Sequence, residues 1–178
     1  AQEASLSLGQ RMILPDGREF AYAKAGGTAL AVGVVCQMPA PTAADLVLNS
    51  KASGAVGATT VAVTFGATAG VAANELKDGY LMAFKGGTAG YMYKIKSNPT
   101  VAAAATGNII LYEYDALKAP MAAATTYVMP NRAVYDGITV RPASTLQLGI
   151  PAGVTANSVA ISYYFWIQRK GPCVLLAS

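Results

Sequence analysis

QRMILPDGREFAYA, residues 10–23, decides the fold class. Pro15-Asp16-Gly17 is a turn with a mechanism, because proline fixes φ and glycine supplies a positive φ. The flanking residues Met12, Ile13 and Leu14, then Phe20 and Tyr22, favour extended backbone. The stretch therefore predicts a β-hairpin.

Downstream, GGTALAVGVVCQMP (26–39) is a glycine-bounded, β-branched run expected to form a buried strand. APTAADLVLNS (40–50) fits either a short helix capped by Thr42 or a loop. ATTVAVTF (58–65) alternates cleanly, placing Thr59, Val61, Val63 and Phe65 on one face of a half-buried strand. GATAGVAANELKDGY (66–80) reads as a surface connection closing on the Asp78-Gly79 turn. YLMAFKGGTAGYMYKIK (80–96) predicts a second hairpin, with Tyr91, Tyr93 and Ile95 sharing a face and Lys94 and Lys96 opposite. NIILYEY (108–114), TTYVMP (125–130) and SVAISYYFWIQ (158–168) add further strands, and AVYDGITVRP (133–142) a strand or bent strand with Asp136-Gly137 at its middle. The Ala-rich pieces VAAAAT (101–106) and MAAATT (121–126) are too short to stand as helices and read as loops.

Many short strands between turn signals predict an all-β fold. It is an antiparallel β-sandwich or barrel-like domain with an N-terminal β-hairpin and extended arm. The arm and hairpin are placed at 1–26 and the main domain at 27–178.

Only 12% of the 178 residues are charged, against 53% hydrophobic. Typical domains carry about 25% charged residues, so a surface this poor in charge predicts cover by partner subunits. The net charge of +4 comes from 13 basic and 9 acidic residues dispersed along the chain. Nucleic-acid binders concentrate their cations on one face, so no nucleic-acid partner is expected. No apolar window reaches the roughly 18 residues of a membrane helix, and the start lacks the basic and apolar regions of a signal peptide. A cytoplasm-made protein without a membrane partner is expected, with Cys36 and Cys173 as buried, reduced thiols.

The chain has no histidine, which removes Ser-His-Asp and Cys-His machinery and the commonest general base. Two cysteines do not complete a structural zinc site, which takes four ligands. Glu113 and Asp115 are expected on one face of the LYEYD strand, an ordinary arrangement for an exposed strand. NELKDG lacks the dense oxygen ligands of a calcium loop, and KGGTAG matches no phosphate-binding fingerprint. Neither catalysis nor a cofactor or metal is expected.

YYFWIQRKGP (163–172) holds the single tryptophan. Extended backward, alternation puts Val159, Ile161, Tyr163, Phe165 and Ile167 on a core face. Ala160, Ser162, Tyr164, Trp166 and Gln168 fall on the other. Tyr and Trp bury large areas while keeping a polar handle, so the second face suits a subunit contact better than base stacking.

LGQRMILPDGREFAYAKAGGTALAVGVV (8–35) resembles the N-terminal segment of tailed-bacteriophage virion proteins. ANELKDGYLMA, YMYKIKSNP, IILYEYDAL, YVMPNRAVYDGI and YFWIQRKGPCVLL follow in that group's order. The family resembled is the phage capsid decoration, or cement, proteins of marine and cyanobacterial phages. The resemblance implies a structural protein on the outer surface of an icosahedral head, cementing neighbouring major capsid protein subunits. It also implies a homo-oligomer, a trimer ahead of a dimer. Expected capsid or subunit contacts are Arg11, Met12, Leu14, Arg18, Phe20, Tyr22, Tyr164, Trp166 and Arg169. The alternative is a phage fibre or adhesin domain whose Tyr91, Tyr93, Tyr112 and Tyr114 stack on host-surface glycan.

Overall fold

The computed structural model describes residues 5–39, 50–66, 70–142 and 149–176. In chain order the strands are β1 (Arg11–Ile13), β2 (Glu19–Lys24), β3 (Val35–Gln37), β4 (Ser50–Ser53), β5 (Thr60–Thr64) and β6 (Tyr80–Lys85). They continue as β7 (Met92–Ser97), β8 (Thr106–Leu111), β9 (Tyr127–Asn131), β10 (Thr139–Val140), β11 (Pro151–Thr155) and β12 (Tyr164–Lys170). A single 3₁₀ turn, Glu113–Asp115, is the only helix among the described residues. The protein is all-β, and its strand pairs are antiparallel.

The chain divides into two compact units: Ala1–Ala40 with Val134–Ser178, and Pro41–Ala133. The sequence boundary expected at 26/27 does not coincide with either junction. The reason lies in the pairing of the N-terminal hairpin. Its outer strand β1 pairs only with β2, but β2 runs antiparallel to β12 from Tyr164↔Lys24 to Gln168↔Phe20. The hairpin is thus built into a sheet with the order β1-β2-β12-β11-β3-β10.

The turn forms as its residues dictate. Gly17 sits at φ +82°, Gly17 N–H donates to Leu14 O at 2.9 Å, and Leu14 N–H donates to Arg18 O at 2.9 Å. One face of this sheet packs Ala21, Ala23, Ala25, Leu30, Cys36, Ile138, Ala152, Val159 and Ile167 into a core. The two end strands, β1 and β10, are very short, which limits edge-to-edge pairing, and Ile138 just before β10 bridges back to Ala25 just after β2.

The second unit is a closed barrel, β4-β5-β8-β7-β6-β9. Closure leaves no free edge. Alternation fills the interior: Val61 and Val63 from β5, Leu81 and Ala83 from β6, Tyr93 and Ile95 from β7, Ile109 and Leu111 from β8, and Val128 from β9. Each fully buried Val, Leu or Ile contributes about 1.5–3 kcal/mol. The alternation of 58–65 is realised here, and that of 80–96 holds for Tyr93 and Ile95 inward with Lys96 outward, whereas Tyr91 precedes β7 and is 40% exposed. The 101–106 and 121–126 segments contain the turns read from their composition.

Five expectations change. The 133–142 run is strand only at Thr139–Val140 (β10), because the chain turns and bends through Val134–Gly137 with Gly137 at φ +74°. The 26–39 run is not one strand: the chain turns at Val32-Gly33, with Gly33 at φ +72°, and only Val35–Gln37 pair as β3. The long final strand is interrupted as well. Residues 160–163 form a turn with Ser162 at φ +61°, leaving Ile161 53% and Tyr163 38% exposed, and β12 begins at Tyr164. Glu113 and Asp115 lie on the 3₁₀ turn rather than on a strand. Cys36 is buried, but Cys173 is exposed because the chain after Gly171 no longer runs inside the sheet; both thiols are free. The helix-or-loop alternative for 40–50 falls almost wholly outside the described residues.

Candidate interaction surfaces

The direct register of β2 and β12 assembles an aromatic face on the side of the sheet away from its core. Trp166 lies opposite Tyr22, Gln168 opposite Phe20, and Tyr164 opposite Lys24. Met12, opposite Phe20 on β1, extends the same row. Tyr22 and Tyr164 stack with ring centroids 5.7 Å apart, and Tyr22 meets Trp166 edge-on at 5.3 Å. The Lys24 ammonium lies 5.6 Å from the Tyr164 ring centroid, and the Arg18 guanidinium 5.9 Å from that of Phe20. Tyr22 itself is only 4% exposed. Its hydroxyl lies 3.2 Å from the Ser5 hydroxyl, and its carbonyl accepts the Gly9 N–H at 2.8 Å.

Met12, Arg18, Phe20, Tyr22, Tyr164 and Trp166 therefore come together, but Phe20 and Tyr22 are buried within the unit. Of the aromatic rings, Tyr164 and Trp166, both half-buried, keep accessible surface. Leu14, half-buried, closes the mouth of the hairpin beside Arg18. Arg11 and Arg169 do not join the row. Arg11 stands opposite Ala21 and pairs with Glu19, which Lys170 also reaches at 3.1 Å. These cations hold the Glu19 carboxyl below the usual carboxylate range. Arg169 lies 5.5 Å from the Tyr135 ring centroid, a residue packed against the core on the other face.

Sequence reasoning did not foresee the course of the C-terminal segment. After β12, Gly171 turns at φ +89° beside Arg18. Gln168 Nε2 donates to Pro172 O at 2.8 Å, and Leu176 N–H donates to Gly33 O at 2.8 Å. The backbone is anchored at both points, yet Val174, Leu175 and Leu176 are 85%, 54% and 61% exposed. A groove of about 330 Å³ runs beside it, lined by Arg18, Val32, Val154, Thr155, Gln168 and Cys173 among others. The one signal in the sequence was the apolar run CVLL directly after a Gly-Pro break.

The barrel carries the remaining polar and aromatic groups. Glu113 pairs with Lys96 at 2.6 Å, and this bond holds the Glu113 carboxyl below its usual range and the Lys96 ammonium above its own. Asp115 accepts the Lys94 N–H at 2.5 Å. The two carboxylates are thus engaged separately rather than converging. Among the described residues no three His, Cys, Asp or Glu side chains are placed to hold a metal ion, and no helix is long and apolar enough to cross a membrane.

The four tyrosines of the glycan reading form two stacked pairs, Tyr91–Tyr93 at 6.1 Å and Tyr112–Tyr114 at 5.2 Å. Tyr93 is fully buried, its hydroxyl accepting the Lys118 N–H at 3.3 Å, so it presents no platform. Tyr114 is 76% exposed. Compared with protein-family models, with curated proteins and with solved structures, the chain matches none.

Proposed function

We propose that the protein is a non-catalytic virion component that binds the exterior of an icosahedral phage head and cements neighbouring major capsid protein subunits, working as a homo-oligomer. The observation that carries this reading is the anchored C-terminal segment. Three consecutive apolar side chains held in solvent by an ordered backbone form a ready contact for another protein chain. The half-exposed Tyr164 and Trp166 add aromatic surface of the type enriched in interfaces. The charge-poor, histidine-free composition and the resemblance to cement proteins point the same way.

Electron cryo-microscopy of purified virions tests it. Density for the two β units on the head exterior is expected, with trimers ahead of dimers. Heads that lack such density would sink the proposal. A chain truncated after Pro172 is expected to fold and to lose capsid binding.

The exposed Tyr114, stacked on Tyr112, favours one second reading, an adhesin domain that stacks on host-surface glycan. A glycan array separates the two: retention of envelope carbohydrate by the wild type but not by Tyr114→Ala would support the adhesin.

A further inference from the structure

On the outer wall of the barrel, β9 lies between β4 and β6, and Tyr127 stands opposite Lys51 on one side and Lys85 on the other. Alternation alone would turn Lys85 inward, since Ala83 two residues earlier is buried in the core. A β-bulge prevents this. The register steps from Ala83↔Val128 to Lys85↔Tyr127, so Phe84 and Lys85 together face one residue of β9. Bulges re-aim side chains in this way. Lys85 is exposed as a result, and its ammonium lies 5.0 Å from the Tyr127 ring centroid. The Lys51 ammonium lies 5.7 Å from the same centroid. Phe84, 42% exposed, is 6.2 Å from the ring.

Neither ammonium group forms an ion pair among the described residues. The carboxylates of Asp16, Glu19, Glu75, Glu113 and Asp115 are each taken by another Lys or Arg. Two like charges are therefore gathered on one aromatic ring, and no carboxylate of the described residues is ion-paired with either.

We propose that Lys51, Tyr127 and Lys85 form a carboxylate-recognition row that docks an acidic protein surface. Three observations select that partner. The ring is flanked by two cations and Phe84, so it is not open to stack on a base or a sugar; it positions the lysines through cation–π attraction instead. The row spans three strands and carries two charges, too short for the stripe of cations that tracks a phosphate backbone. Phe84 beside the charges gives the mixed aromatic and cationic character of a protein interface. The inference rests on the reading above in taking the partner to be a protein, and it adds the surface and the chemistry of contact.

The test is titration of the whole protein with an octaglutamate peptide by isothermal calorimetry at low and physiological salt. Lys51→Gln/Lys85→Gln is compared with Lys96→Gln/Lys118→Gln, which removes the same net charge elsewhere on the barrel; far-UV circular dichroism verifies folding of both. The proposal expects affinity that falls with salt, at least a tenfold loss in the first variant and less than threefold in the second. Equal losses in both variants, or no binding by the wild type, would overturn it. Tighter, lysine-dependent binding of single-stranded DNA or a sulfated oligosaccharide would do the same. Octaglutamate binding by a protein that does not bind heads would refute the head-cementing reading alone. Head binding unaffected by Lys51→Gln/Lys85→Gln would refute the row alone.

Discussion

Tyr22 and Trp166 face one another in direct register across β2 and β12, ring centroids 5.3 Å apart and edge to face. The indole shields a tyrosine that is only 4% exposed. Trp166→Ala removes the pair and uncovers Tyr22, and is expected to cost about 2 kcal/mol, less than a fully buried Trp because the indole is half-buried. Trp166→Phe keeps most of the contact and should cost about 1 kcal/mol. Urea unfolding followed by far-UV circular dichroism measures both, since Trp166 is the only tryptophan and its fluorescence is lost with it. An Ala variant as stable as wild type would show that the face contributes nothing to the fold.

Stability should fall in alkali. Burial pushes the Cys36 thiol from its ordinary 9.0 up to about 11. Below pH 9 the thiol is protonated whether the chain is folded or not, and its contribution is fully present. Between pH 9 and 11 the unfolded chain releases the proton while the folded one keeps it, so stability is lost as pH rises. The loss is about 2–3 kcal/mol across that window. Cys36→Ala should be less stable at neutral pH but should lose less on going from pH 9 to 11. Reaction with a disulfide reagent at pH 8 should modify Cys173 in the native protein and reach Cys36 only after denaturation.

Two glycines should respond very differently to alanine. Gly17 has φ +82° with nothing near its absent side chain, so Gly17→Ala carries only the left-handed backbone penalty, about 1 kcal/mol. Gly153 has φ +150°, and a Cβ there would lie 2.3 Å from Gln168 O on the paired strand. Gly153→Ala must push β11 from β12 and is expected to cost more than about 3 kcal/mol. Parallel denaturation curves for the two variants test the ranking.

Asn98 ties down the connection that leads into β6. Its Nδ2 donates to Ala72 O and Pro99 O, each at 2.8 Å, and its Oδ1 accepts the Leu76 N–H at 2.9 Å. The residue is 4% exposed. Asn98→Ala strands these backbone groups and should cost about 2–4 kcal/mol. Asn98→Asp keeps the acceptor but loses both donations, and should recover little. Hydrogen exchange is the discriminating measurement: the Leu76 amide should lose protection in the alanine variant.

The parts of this fold that were legible in the sequence are those whose pattern is local. Pro15-Asp16-Gly17 dictated the first hairpin, and alternation in 58–65 and 80–96 identified the strands and, Tyr91 apart, the residues that share a face. What was not legible depended on distant partners. Nothing near Ser162 announces a positive φ, so YYFWIQ read as the end of one long strand although Ile161 and Tyr163 lie in a turn. Closure of the barrel rests on β4 and β6 both pairing with β9, a long-range choice that period-two patterns do not encode. The bulge at Phe84–Lys85 belongs to the same class: it is visible only in register, and it decides which way a lysine points. Phe20, Tyr22, Tyr164 and Trp166 were legible as candidate contact residues by type, but their meeting in one row across β2 and β12 and the burial of Phe20 and Tyr22 were not, because cross-strand register and cover by Ser5 have no sequence signature.

The strand order places β12 between β2 and β11, and this has a consequence for biosynthesis. The barrel strands are all present once Asn131 has emerged from the ribosome, so that unit is free to fold early. β2, by contrast, must wait for a partner about 140 residues downstream, roughly 7–28 s at ordinary elongation rates. During that interval its unpaired edge is exposed next to Phe20 and Tyr22. A nascent chain in this state is a natural client for holding chaperones, and slower translation after residue 131 would lengthen its exposure rather than help it fold.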